Sequence, residues 1–148
     1  MDFLNHIEWY IHSYPTLAEN KITGLPLTKE EKEMVVLDGS TTKKMKLILP
    51  LHDEFQYTKE KSITTPVTVK KLLNAIYTFY KEPLDMTDYD LAFDGMEEWK
   101  EEVVDMRYDG DESQLIKYDV FTDTCTPDFC GLEYDEVKKG YFVSIGPE

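Results

Sequence analysis

Few residues in this chain are of a type that does covalent or metal chemistry. Cys125 and Cys130 are its two cysteines, set in the run CTPDFC, and His6, His12 and His52 lie far from them in sequence. A structural zinc site takes four ligands, usually in closely spaced Cys or His pairs. Two thiols without such a second pair predict no metal site. A disulfide between them is sterically conceivable, but a reducing compartment keeps both thiols reduced, so two partly buried thiols are expected. Only the fold could bring Cys130 to one of the histidines as a nucleophile–base pair. The phosphate loop ending in Gly-Lys-Ser/Thr, GxGxxG, GxSxG and HExxH are all absent. No catalytic residue and no cofactor is therefore nominated.

Carboxylates are the abundant functional groups. The 148 residues carry 30 Asp and Glu against 16 Lys and Arg, a formal charge of −14. Residues 1–81 are nearly balanced at +1, whereas residues 82–136 hold nineteen acids against Lys100, Arg107 and Lys117, a net of −16. An EF-hand loop starting at Asp88 fails at Ala92 and Phe93, where an oxygen ligand and a glycine are needed, and one starting at Asp105 fails at Arg107. Weak divalent binding by loose carboxylates stays open. Glu97, Glu98, Glu101, Glu102 and Asp105 crowd one predicted helix. Such a face either serves as a solvated surface or attracts a basic partner, and it repels the phosphates of nucleic acid. The aromatics Trp9, Tyr10, Tyr14, Tyr77 and Tyr80 read as core rather than as a base-stacking platform, with Phe79 a candidate exposed contact.

Among the elements that must position these groups, the clearest is the helix of VTVKKLLNAIYTFYKEP, residues 67–83. Val69, Leu72, Leu73, Ile76 and Tyr80 share one face of a 3.6-residue period, and Lys70, Lys71, Asn74, Thr78 and Lys81 the other. Thr68 is the predicted cap, Val67 and Leu72 have staple spacing, and Pro83 ends the helix. The spacing also predicts a helix over residues 2–14, a capped turn with Thr28 and Glu31, and a helix over 96–106 with Met96, Trp99, Val103 and Met106 on one stripe. Strands are expected at 34–37 and 44–49, joined through Asp38-Gly39-Ser40, and at 115–121 with Ile116, Tyr118 and Val120 inward. A closing hairpin is expected over 131–145. Residues 51–66 read as a polar connection. Helices and strands that do not alternate regularly predict a single α+β domain over residues 1–148, an amphipathic central helix on a small, mainly antiparallel sheet. No apolar run approaches the length of a membrane span, and the N-terminus lacks the pattern of a secretory signal.

Two stretches, TTPVTVKKLLNAIYTFYKEPL (64–84) and FCGLEYDEVKKGYFVSIGPE (129–148), resemble small proteins of giant double-stranded DNA viruses that infect amoebae. The resemblance rests on Pro66, Thr68 and Val69 leading into a helix that ends in Phe79 and Tyr80. It continues in Phe129, Gly131 and Leu132, and in the final strand with Tyr141, Val143 and Gly146. It implies a viral protein acting in the host cytoplasm or nucleus or carried in the virion, and it assigns no functional residue.

Together these readings predict a non-enzymatic interaction or accessory protein that binds a basic protein, viral or host, through its acidic helix. The runner-up is a nucleic-acid mimic that inhibits a DNA-binding enzyme, which would need carboxylates spaced like phosphates, roughly 7 Å apart along one strand. A third class, an enzyme, would show a pocket holding Cys130 or a histidine beside acids. Oligomeric state is not legible.

Overall fold

The computed structural model describes residues 2–51, 57–84, 93, 96–121 and 127–146. Short strands β1 (Ile7–Glu8) and β2 (Glu19–Asn20) pair antiparallel, as do β3 (Val35–Leu37) and β6 (Val67–Thr68). The main sheet has the order β5-β4-β8-β7, built from β4 (Lys44–Pro50), β5 (Thr58–Thr64), β7 (Asp128–Asp135) and β8 (Gly140–Gly146). Its two hairpin pairs are antiparallel, and the central β4–β8 pair is parallel. Among the described residues the α-helices are α1 (Lys29–Glu33), α2 (Val69–Lys81) and α3 (Glu97–Tyr108). This is an α+β fold.

The expected face of α2 is the buried one: Val69, Leu72, Leu73, Ile76 and Tyr80 are all at most 2% exposed. They share one core with Met45, Leu47 and Leu49 of β4 and Val143 of β8. Thr68 accepts the Lys71 N–H as a cap, and the buried Tyr80 hydroxyl donates to the Pro50 carbonyl at 2.7 Å, tying helix to sheet. The helix stops at Glu82, ahead of Pro83. Thr28 and Glu31 form the expected reciprocal capping box on α1. Phe79 is 3% exposed, so it is core rather than the exposed contact expected. Its ring faces the Lys117 ammonium at 4.4 Å.

Four local expectations are corrected. Residues 2–14 are not one α-helix: a 3-10 turn at Asp2–His6 runs into an extended segment. Ile7, Trp9 and Ile11 are buried while Glu8 and Tyr10 are not, a period of two that the same sequence also fits. The backbone of this segment pairs with the β7 edge, where the Trp9 carbonyl accepts the Phe129 N–H at 2.9 Å and the Ile11 N–H reaches the Pro127 carbonyl at 3.2 Å. Covering that edge satisfies backbone groups on both segments.

The hairpin expected between 34–37 and 44–49 does not form, because β3 pairs with β6 and β4 with β5. Strand β5 lies where a polar connection was expected. Its Lys and Glu residues mark a charged outer edge, and Lys61 extends to Glu82 at 3.6 Å at the end of α2. Finally, residues 115–121 form a single bridge at Ile116 and then a 3-10 turn, Lys117–Val120. The burial phase is the reverse of the expected one. Leu115, Lys117, Asp119 and Phe121 are buried together with Val120, while Ile116 and Tyr118 are only partly covered. Lys117 and Asp119 tolerate burial because each meets an opposite charge, Glu82 at 2.6 Å and Arg107 at 2.8 Å.

The closing hairpin forms as β7–β8, with a bulge between Phe129 and Leu132. Gly131 sits in it at φ +96°, where a Cβ would stand 2.8 Å from Asn5 Oδ1.

Candidate functional site

The helix expected over 96–106 is α3. At 100° per residue, Glu97, Glu98, Glu101, Glu102 and Asp105 fall within an arc of about 140°, and all five are exposed. Val103 is buried on the far side with Trp99 partly covered beside it, and Val104 is buried at the border of the arc next to Glu97. Met106 departs from the expected stripe. It is 77% exposed and borders the acidic arc, because Val104 rather than Met106 turns to the core. The helix ends at Asp109, whose φ of 51° lets the Gly110 N–H reach the Val104 carbonyl at 3.1 Å.

None of the five carboxylates makes an ion pair or hydrogen bond to the described residues, which sets them apart from acids with structural work. Glu31 closes the α1 capping box, Asp38 accepts the Ser40 N–H, and Asp135 accepts the Val137 and Lys138 N–H groups in the β7–β8 turn. Backbone and side-chain donors hold Glu31 and Asp38 below the usual carboxylate range. On α3 the pairs Glu97–Glu101, Glu98–Glu102 and Glu101–Asp105 stack like charges at i, i+4, which costs a helix a few tenths of a kcal/mol per pair.

What holds this self-repelling helix in place is Asp119, 1% exposed. Its carboxylate accepts Arg107 Nη1 at 2.8 Å, the Ile116 N–H at 2.8 Å and the Tyr108 hydroxyl. Its carbonyl accepts Trp99 Nε1 at 2.9 Å. Burial first, then the bond to Asp119, pushes the Tyr108 phenol far above its ordinary range. Sequence reading missed this anchor. The signal was present as Lys117 and Asp119 alternating with Leu115 and Phe121, but such a pattern ordinarily marks a solvent face.

Among the described residues, Cys130 and the histidines are placed as follows. Cys130 is exposed on β7, its thiol 3.5 Å from the Asp128 carbonyl, and Cys125 lies outside the described residues, as does His52. The expectation of a partly buried thiol is therefore corrected for Cys130. His12 stacks on Tyr118 with centroids 4.8 Å apart. Burial, then the nearby charges of Lys81 and Arg107, lower its pKa, which favours the neutral ring. Among the described residues no three His, Cys, Asp or Glu side chains are grouped to hold a metal ion. No described helix is long and apolar enough to cross a membrane. Comparison with family models, with curated proteins and with solved structures returns no match for this chain.

Proposed function

We propose that this chain is a non-enzymatic viral interaction or accessory protein whose α3 presents its acidic face to a basic protein partner. The observation that carries the reading is the set of five exposed carboxylates on one arc of α3, unpaired among the described residues. A helix that concentrates like charge on one face, against its own stability, is suited to a partner that neutralises it. The exposed Met106 beside the arc adds an apolar contact of the adaptable kind. The resemblance of residues 64–84 and 129–148 to giant-virus proteins is what supports the reading of an action in the infected host cell or in the virion.

Nucleic-acid mimicry is the weaker reading. The rows Glu97–Glu101–Asp105 and Glu98–Glu102 advance about 6 Å per step, close to phosphate spacing, but the longer row ends after about 12 Å. An extended mimic would need a longer strip.

The test is capture of partners from infected host cells by the tagged chain, with washes up to 1 M salt, alongside binding of a Lys/Arg-rich peptide. The comparison is with the quadruple variant Glu97→Gln, Glu98→Gln, Glu101→Gln and Glu102→Gln. Screening contracts from about 10 Å at 0.1 M to about 3 Å at 1 M, so salt should release a basic partner. The variant should capture less while folding as stably or slightly better. Unchanged partners with unchanged salt dependence would show the arc to be a solvated surface. Displacement of the partner by duplex DNA would favour mimicry.

A further inference from the structure

We infer that the hollow between α1, α2 and the turn at Pro15–Leu17 binds a small monocarboxylate with a compact apolar body, of the isovalerate class. The hollow is a cavity of about 110 Å³. The nearly buried Leu27 and Leu73 give it an apolar floor, and Lys32 and Lys70 both line it. No Asp or Glu is among the lining residues. In a chain whose acids outnumber its cations 30 to 16, two lysines around one acid-free apolar hollow are a local reversal of charge.

Three segments build this hollow. From α2 come Lys70, Leu73 and Asn74, which sit at i, i+3 and i+4 and so share one patch of helix surface. Leu73 is buried there, while Lys70 and Asn74 are exposed and stand at the mouth. The end of α1 is tied to the start of α2, where the Val69 N–H bonds the Met34 carbonyl at 2.9 Å. On α1, Lys29, Glu30 and Glu33 are exposed, whereas Lys32 is partly covered. A lysine held this way lays its stem on apolar surface and keeps its ammonium in water. The third side is Pro15 and Thr16. Their turn is docked on α2 through Tyr14 and Tyr77, whose rings lie 5.6 Å apart. The Leu27 N–H bonds the Ala18 carbonyl at 3.1 Å, which fixes the floor against the end of that turn. Lys32 and Lys70 have no ion-pair partner among the described residues. Glu31, which precedes Lys32, is committed to the Thr28 N–H and the Asn20 amide.

The lining sets the ligand's chemistry. Two like charges around one hollow disfavour each other, and an anion between them removes that cost. The leucine floor and Pro15 reward an apolar body, so the anion must carry one. An apolar cavity of about 150 Å³ holds benzene, so this smaller one admits about four or five carbons. A carboxylate on an isobutyl group meets both demands. The Thr16 hydroxyl and Asn74 amide add polar contacts beside the lysines. A free amino acid fits less well, because its own ammonium would join the two lysines. The acidic arc of a second copy's α3 is the competing occupant, but its glutamates bring no apolar body to the floor. No residue of α3 lines the cavity, so this inference does not depend on the acidic-face reading.

The experiment is a titration of the nitrogen-15-labelled full chain followed by amide NMR, at about 50 mM salt to limit screening, with isovalerate, isovaleramide and acetate. Isovalerate should give saturable shifts in α1, the first half of α2 and the Pro15–Leu17 turn, with a Kd of about 1 mM, within reach of so small a ligand. Isovaleramide keeps the body and loses the charge, and acetate keeps the charge and loses the body. Each should bind about tenfold more weakly or less. Lys32→Gln with Lys70→Gln should bring isovalerate down to the level of its amide and leave the amide unchanged. Asn74→Phe, at an exposed position, should block the mouth and abolish binding of isovalerate while both lysines remain. Circular dichroism confirms that each variant folds, and the lysine variant alone decides the case if Asn74→Phe does not. The inference is overturned if isovalerate gives no saturable shifts up to about 20 mM, or binds no better than its amide or acetate. It is equally overturned if the lysine variant binds isovalerate as before, if folded Asn74→Phe does so, or if the lysines instead prove to drive self-association that the α3 Gln variant abolishes.

Discussion

Asp119→Ala deletes the acceptor on which Arg107, Tyr108 and the Ile116 N–H converge. A hydrogen bond to a charged acceptor contributes about 1.5–3 kcal/mol. Arg107 keeps 34% of its side chain exposed and regains water when the carboxylate goes, so its share falls toward the ~0–1 kcal/mol of surface pairs. Tyr108 is partly covered and the Ile116 N–H partly buried, so neither rehydrates fully. With up to about 1 kcal/mol at Arg107 and about 1–1.5 kcal/mol at each of the other two donors, the expected cost is about 3 kcal/mol, near the size seen when one partner of a buried pair is removed. Asp119→Asn retains one acceptor oxygen and should lose about 2 kcal/mol. Urea melts of Asp119→Ala, Arg107→Ala and the double variant measure this, with a coupling of about 1 kcal/mol expected between the two side chains. The Trp99 indole N–H bonds the Asp119 carbonyl, so a red-shifted tryptophan emission in Asp119→Ala would report loosening of α3. A loss below about 1 kcal/mol for Asp119→Ala would refute the anchoring argument and reduce the network to a solvated pair.

Leu73→Ala and Ile76→Ala should each lose about 2–5 kcal/mol in urea melts, whereas Lys70→Ala on the exposed face should change stability by less than about 0.5 kcal/mol; similar losses at all three would contradict the face assignment. The fully buried Tyr80 phenol has its pKa raised well above the ordinary value by burial, so the folded chain keeps a proton that the unfolded chain releases above about pH 10. Its contribution to stability is complete below that pH and declines above it, by up to about 1.4 kcal/mol per pH unit. Melting temperature scanned from neutral to alkaline pH should show a shallower fall in Tyr80→Phe. Gly140→Ala should destabilise by about 1–3 kcal/mol, because its Cβ would press on the Lys46 stem and carbonyl. Gly146→Ala, whose Cβ would meet only Cys130 Sγ at 3.9 Å, should stay within about 0.5 kcal/mol when both are compared by thermal melts.

The sequence by itself determined the elements whose residues satisfy one period and one set of end signals. α2 was legible because its apolar spacing fits only a helix and Thr68 and Pro83 mark its ends. The capping box of α1 and the β7–β8 hairpin were legible for the same reason, since their bonds are local. The exposed arc of α3 was also legible, because charge at i, i+1, i+4 and i+5 needs no distant partner to be placed outward. Only the tertiary structure decided where two periods or two partners competed. Residues 7–11 fit both a helical and an alternating pattern, and the open β7 edge selected the extended form by satisfying their backbone. β4 had two possible neighbours, and β5, polar by composition, paired with it because an edge strand needs few apolar side chains. Lys117 and Asp119 turned inward, against their polarity, because Glu82 and Arg107 are held opposite them from 35 and 12 residues away. The parallel β4–β8 pair likewise joins segments more than ninety residues apart. Pairings across such distances depend on which backbone edges and charges the packed core leaves unsatisfied, and no local pattern in the chain carries that information.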